Sequence, residues 1–176
     1  MADKSPDAIA LLKADHRAVE DLFEKFENTK AAQKKSALAA QICTELVIHT
    51  TIEEEIFYPA LKGKIDADDL DEAYVEHDGA KLLIGQIMAG APGDDFYDAK
   101  VKVLSEDIKH HVHEEEMPSK GMFAQARAAD VDLDALGEQM AARKAELKAQ
   151  FEANGIATPI ARTLGPVELE LGEPVA

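Results

Sequence analysis

The chain has a single cysteine, Cys43, and no tryptophan, and aromatic residues make up only 5% of it. A lone thiol cannot close an internal disulfide and excludes a cysteine-based zinc cluster, which favours a reducing compartment. Positive charge is scarce too: 19 Lys and Arg stand against 35 Asp and Glu, a net charge of -16. A chain this anionic repels phosphate backbones, so no nucleic-acid partner is expected. No apolar run approaches the ~18 residues that a membrane span needs. The stretch Met1-Ala2-Asp3-Lys4-Ser5-Pro6 lacks a signal-peptide core, so a cytoplasmic protein with no membrane partner is the expectation. Strand signals are nearly missing; the one alternating stretch is Val167-Glu168-Leu169-Glu170-Leu171.

What is abundant is Ala, Leu, Glu and Lys, a helix-forming composition. Ser5-Pro6-Asp7 reads as an N-cap with Pro at the first helical position. The first predicted helix then carries Ile9, Leu12, His16, Val19, Phe23 and Phe26 on one face. A second, from about Ser36 to Leu61, carries Ile42, Leu46, His49, Glu53, Ile56 and Ala60, and Lys62-Gly63-Lys64 ends it. A third, from Asp68 or Asp69 to Gly90, carries Leu70, Tyr74, His77, Lys81, Ile84 and Met88; Gly79 and Gly85 suggest close approach of a neighbour. A fourth carries Tyr97, Val101, Leu104, Ile108, His111 and Glu115 and is disturbed by Pro118 and Gly121. The short connections predict an all-α, antiparallel up-down four-helix bundle over residues 1–128. A further amphipathic helix (Leu133, Leu136, Met140, Leu147, Phe151) occupies 129–154, and an extended or mobile tail follows over 155–176. The fifth stripe suits packing within the chain, or a dimer or protein partner.

Each of the four inward stripes holds a His, and two hold a Glu, where a bundle core calls for Leu, Ile, Val and Ala. A buried carboxylate costs several kcal/mol unless it is paired, hydrogen-bonded or on a metal. A single His on an apolar stripe is ordinary, and so is a single HxxxE in a chain this acidic. The ensemble is not. His49-xxx-Glu53 and His111-xxx-Glu115 each place two groups one turn apart on a face. There is also an internal echo: Asp15-His16 precedes His49 by 33 residues, and Glu76-His77 precedes His111 by 34. Two such αα-hairpins facing each other bring four imidazoles and two carboxylates together, as a two-metal site requires. The pair His110-xxx-Glu114 is a rival register, but its face includes Lys100 and Asp107, whereas the His111 face is apolar. On that reading His110 and His113 are solvated or outside the ligand set, and Glu54, Glu55, Glu114 and Glu116 form a solvated face.

These elements resemble the hemerythrin-like, or HHE cation-binding, domain: Asp15-His16, His49-xxx-Glu53 with Phe57-Tyr58-Pro59 after it, Glu76-His77, and His111-Val112-His113-Glu114-Glu115-Glu116. The resemblance covers roughly residues 5 to 128. It implies two iron ions per chain, oxo- or hydroxo-bridged, held by His16, His49, His77 and His111 and bridged by Glu53 and Glu115. It also implies chemistry with O2, peroxide or nitric oxide, as in oxygen or redox sensing; turnover of peroxide or O2, and iron storage or delivery, are the alternatives. Two positions depart from oxygen-carrying hemerythrins. Lys81 stands where the carriers have a second His one turn after the third-helix His, and Glu116 stands where they have an Asp. Both point to the bacterial HHE group rather than to reversible O2 carriage. Lys81 either snorkels outward or directs its ammonium at a bound anion. Zinc or manganese remain chemically possible. The Glu-xx-His pairs of ferritin-like sites, HExxH and phosphate-binding loops are missing.

Overall fold

The structure, a computed structural model, describes residues 6–165. Those residues are all-helical, with no strand among them: α1 (Ala8–Glu27), α2 (Ala32–Ile52), a π-helical turn (Glu53–Phe57), α3 (Tyr58–Leu61), α4 (Ala67–Ala89), α5 (Tyr97–Glu116), α6 (Met122–Ala128) and α7 (Leu133–Asn154). Ser5 and the alternating stretch Val167–Leu171 lie outside the described residues.

Local chemistry sets the helix starts. Asp7, not Ser5, caps α1: its carboxylate accepts from the Ala10 N–H at 2.7 Å, so Pro6 precedes the cap. Asp66 and Asp132 cap α4 and α7 in the same way, each at 3.0 Å. The second helix begins at Ala32, a turn earlier than its polar first residues suggest. It also does not run uniformly to Leu61. The Tyr58 N–H donates to the Glu53 carbonyl, five residues back, and this wide turn follows Thr50 and Thr51, whose hydroxyls donate to the Val47 carbonyl. Gly79 and Gly85 have open space where a side chain would begin, so the close approach expected of them is not made there. It is made at Gly137, where a Cβ would lie 2.3 Å from the Pro6 carbonyl oxygen, because α7 lies hard against the start of α1.

The helices enclose two apolar clusters with a polar layer between them. One gathers Ile9, Leu12, Ile52, Phe57, Leu61, Leu70, Phe123 and Met140; the other gathers Phe23, Phe26, Ile42, Leu46, Ile84, Val101 and Leu104. Along α1 the order is Leu12, His16, Val19; along α2, Leu46, His49, Ile52; along α4, Ala73, His77, Ala80. The polar layer is therefore about one helical turn thick on these three helices. Cys43 belongs to the second cluster, and burial pushes its thiol up to about 12, so it packs as an inert apolar group. α7 packs on α1, α2 and the π-turn, burying Leu136, Met140 and Leu147. The tail is not free over its described part: residues 162–164 are tied to Asp78 on α4. No described helix is long and apolar enough to cross a membrane.

Candidate metal centre

The polar layer contains all six side chains singled out in the sequence, each nearly inaccessible to solvent. The four rings turn their Nε2 atoms inward in two pairs, His16 with His49 and His77 with His111, each pair 3.2 Å apart. Glu53 links the pairs: its Oε2 lies 3.2 Å from His49 Nε2 and 3.3 Å from His77 Nε2. Glu115 links them again, with Oε2 3.4 Å from His16 Nε2 and Oε1 3.7 Å from His111 Nε2. Two donor clusters result, His16–His49–Glu53–Glu115 and Glu53–His77–His111, sharing Glu53. The rival His110 is exposed and faces outward with Glu76 and Glu114.

The donor chemistry fits divalent cations. Both oxygens of Glu53 and the Oε2 of Glu115 are buried with no hydrogen-bond partner. Such atoms are expensive to bury without a cation. Burial first, and then the negative charge of Glu115, pushes Glu53 up to about 8. Burial acts the same way on Glu115, but His111, His16 and His49 outweigh it and hold Glu115 low. Burial disfavours a charged His111, yet Glu115 and Glu76 outweigh that and hold it above the ordinary imidazole value.

Each ring also has a carboxylate on its outer nitrogen, always from a neighbouring helix. His16 Nδ1–H donates to Glu116 (2.8 Å), His77 Nδ1–H to Glu54 (3.1 Å) and His111 Nδ1–H to Glu76 (2.7 Å); His49 Nδ1 lies 3.7 Å from Asp15. For His16, His77 and His111 this arrangement fixes Nε2 as the inward lone pair, as metal-bound histidines require; His49 Nδ1 and Asp15 are too far apart for a hydrogen bond. Burial raises Asp15, Glu54 and Glu116, but the adjoining rings and cations outweigh it and keep all three below the usual carboxylate range. The cations are Lys144 for Asp15, Lys81 for Glu54, and Arg17 with Lys13 for Glu116.

Three expectations are corrected here. Glu54 is not on a solvated face; it lies in the π-turn beside Glu53, where it is buried. Glu116 is half-buried and holds His16. Glu55 is exposed, as expected, and pairs with Arg143. Lys81 takes neither course foreseen for it. It is buried, with Nζ 2.6 Å from Glu54 and 3.1 Å from Asp78. Tyr58 was not singled out for a role: its buried hydroxyl lies 3.2 Å from His77 Nε2 and donates to Glu115 Oε1 at 3.2 Å. The signal for the outer carboxylates was present as a repeat, an acid before His16 and His77 and a second acid after Glu53 and Glu115.

A family description, the hemerythrin HHE cation-binding domain, matches residues 7–126, most of the chain and every member of this constellation. The chain belongs to that family. This HHE chain is 29% identical over 145 residues to an uncharacterised protein of Mycobacterium tuberculosis, covering 80% of the chain and 87% of that protein. It is 30% identical over 106 residues to a protein of Nostoc named DNA nickase; that match takes in 60% of the chain and only 30% of the Nostoc protein. Among solved structures, an HHE domain-containing protein of Mycobacterium kansasii superposes with a TM-score of 0.71 at 22% identity, covering 87% of this chain and 96% of that one. A likeness at that identity supports the fold. The family is named for cation binding, and the two His/Glu clusters are groups that could hold a metal ion.

Proposed function

We propose that the chain holds two iron ions, one between His16 and His49 and the other between His77 and His111, with Glu53 and Glu115 each reaching both. The observation that carries this reading is the set of buried carboxylate oxygens without hydrogen-bond partners, placed among four inward Nε2 atoms. Imidazole with carboxylate suits iron, with zinc and manganese as its competitors. The pairing of α1 with α2 and of α4 with α5 supports an antiparallel up-down order for these four helices, residues 1–128 forming the metal-binding unit.

Bound iron supplies one-electron redox change and coordination positions open to a small molecule. The chain's own residues do the rest. The outer carboxylates orient the rings. Val19, Leu46 and Ile108 help close a space of ≈ 10 Å³ against all four rings, room for one water-sized guest. Lys81, held by Glu54 and Asp78, adds no fifth imidazole, which leaves the His77 side with fewer ligands than in an oxygen carrier. The reading that follows is a cytoplasmic protein of oxygen or redox sensing and response, whose small ligands are O2, peroxide or nitric oxide. A second reading, turnover of peroxide or O2, is favoured by Tyr58, which keeps a proton at its hydroxyl in contact with His77 and Glu115. Burial and then the charges of Glu53 and Glu115 hold its phenol well above the usual value.

Metal analysis with optical spectra of protein purified with and without air tests the first reading. About two irons per chain with near-ultraviolet charge-transfer absorption supports it. Zinc alone, or no metal after reconstitution, overturns it. Peroxide consumption faster than that of free iron, and slowed in Tyr58→Phe, selects the second reading.

A further inference from the structure

Beyond α7 the chain returns across α4, and Asp78 receives it. This carboxylate is fully buried. Its Oδ2 accepts from the backbone N–H groups of Arg162 (2.7 Å), Thr163 and Leu164 (3.1 Å) and from the Thr163 hydroxyl (2.7 Å). Three successive backbone donors on one oxygen form an anion nest. The other oxygen accepts from Lys81 Nζ at 3.1 Å. Docking the nest sets the Arg162 side chain against the candidate site: its Nε lies 3.2 Å from Glu54 Oε2. Glu54 Oε1 takes Lys81 Nζ and the Nδ1–H of His77.

Glu54 is thus held at both oxygens, by Lys81 on α4 and by Arg162 on the tail, and His77 meets an acceptor that cannot swing away. The other half of the layer has its own holder. Asp15, beside His49, is held by Lys144 of α7. The segment after residue 128, which the HHE resemblance does not cover, therefore touches each half through a different cation.

We infer that residues 162–164, docked on Asp78, form a latch that positions Glu54 against His77 and so sets how firmly the His77–His111 half retains its cation. The inference rests on the two-metal reading above. Arg162 and Asp78 are positioning residues, since neither reaches the inward donor atoms. Removing the partner of a ligand histidine weakens metal retention by roughly 10- to 100-fold.

Cobalt(II) is the probe. The full chain is stripped of metal, loaded with cobalt(II) and mixed with excess chelator, and release is followed by the loss of visible absorption. Wild-type protein is expected to release its metal in two phases, one for each half. Arg162→Gln is expected to speed one phase by about 10-fold and leave the other unchanged; Lys144→Gln is expected to speed the other phase, and Arg162→Lys to restore the wild-type rate. Asp78→Asn should act like Arg162→Gln, and because Arg162 is exposed, its substitution leaves the fold intact even if the buried change does not. Both phases moving together in Arg162→Gln, or neither moving, overturns the latch alone. Wild-type protein that takes up no cobalt overturns the metal reading, and the latch with it.

Discussion

At the scale of single residues the candidate centre consists of more than its inward donors. Glu53, Glu54 and Glu55 are consecutive acids with three different environments: no hydrogen-bond partner, a ring and two cations, and solvent with Arg143. Glu54→Ala is therefore expected to lower metal content by about 10-fold in affinity, whereas Glu55→Ala leaves it unchanged; competitive titration against a chelator of known strength checks both. Protons compete for the same atoms. In the metal-free chain Glu53 keeps its proton up to about 8, chiefly because of burial, and His111 is held above the ordinary imidazole value. A ligand must be unprotonated to bind, so cation uptake near pH 7 should expel protons, and the release should fade above about pH 9. The raised Glu53 value also means that its contribution to metal-free stability is full below the ordinary carboxyl range and is lost as pH climbs through about 8. Zinc titration in weak buffer with an indicator dye reads the release; equal values at the two pH settings would contradict it. The six inward side chains were legible in the sequence because polar groups on apolar stripes cost free energy. Glu54 was not, because an even helical period places it a hundred degrees or so round from Glu53.

At the scale of elements, the π-turn was equally hidden. Periodicity assumes one residue count per turn, and the Glu53–Phe57 segment breaks it. No residue type announces such a turn, so a stripe read from Ile42 to Ala60 passes through it unnoticed. The tail was illegible for a related reason: its attachment comes from backbone N–H groups at 162–164, which carry no side-chain signature, meeting one Asp in a chain full of acids. The five long helices were legible because each carries an apolar stripe of several turns; α6, seven residues after Gly121, was not, because it is too short to show a period. The seam between α7 and α1 was also hidden, since it depends on what Gly137 lacks. Gly137→Ala would force α7 off the Pro6–Ala8 backbone and cost about 1–3 kcal/mol, read as a lower urea midpoint. Because Lys144 lies two turns further along α7, the same variant should loosen its pairing with Asp15.

For the whole molecule the layered core has a mechanical meaning. The apolar clusters on either side of the histidines meet largely across charged and polar atoms, with Phe151 of α7 packed against both, and several of those polar atoms have no hydrogen-bond partner in the metal-free chain. Such a layer is a plane of weakness: it adds little cohesion of its own, because its buried carboxyl groups leave oxygens without hydrogen-bond partners. Each cluster can then melt with some independence. Calorimetry of the metal-free chain is expected to give a calorimetric enthalpy larger than the van't Hoff enthalpy, and metal-loaded protein a single sharper transition at higher temperature. Matching enthalpies without metal would show that the clusters already melt as one. In the folded, loaded protein each of the two ions would act as a rivet at mid-height, one joining α1, α2, the π-turn and α5, the other joining the π-turn, α4 and α5. Losing metal would then split the molecule's cooperativity before it costs the molecule its shape, so that the presence of the ions is reported to the outside as stiffness.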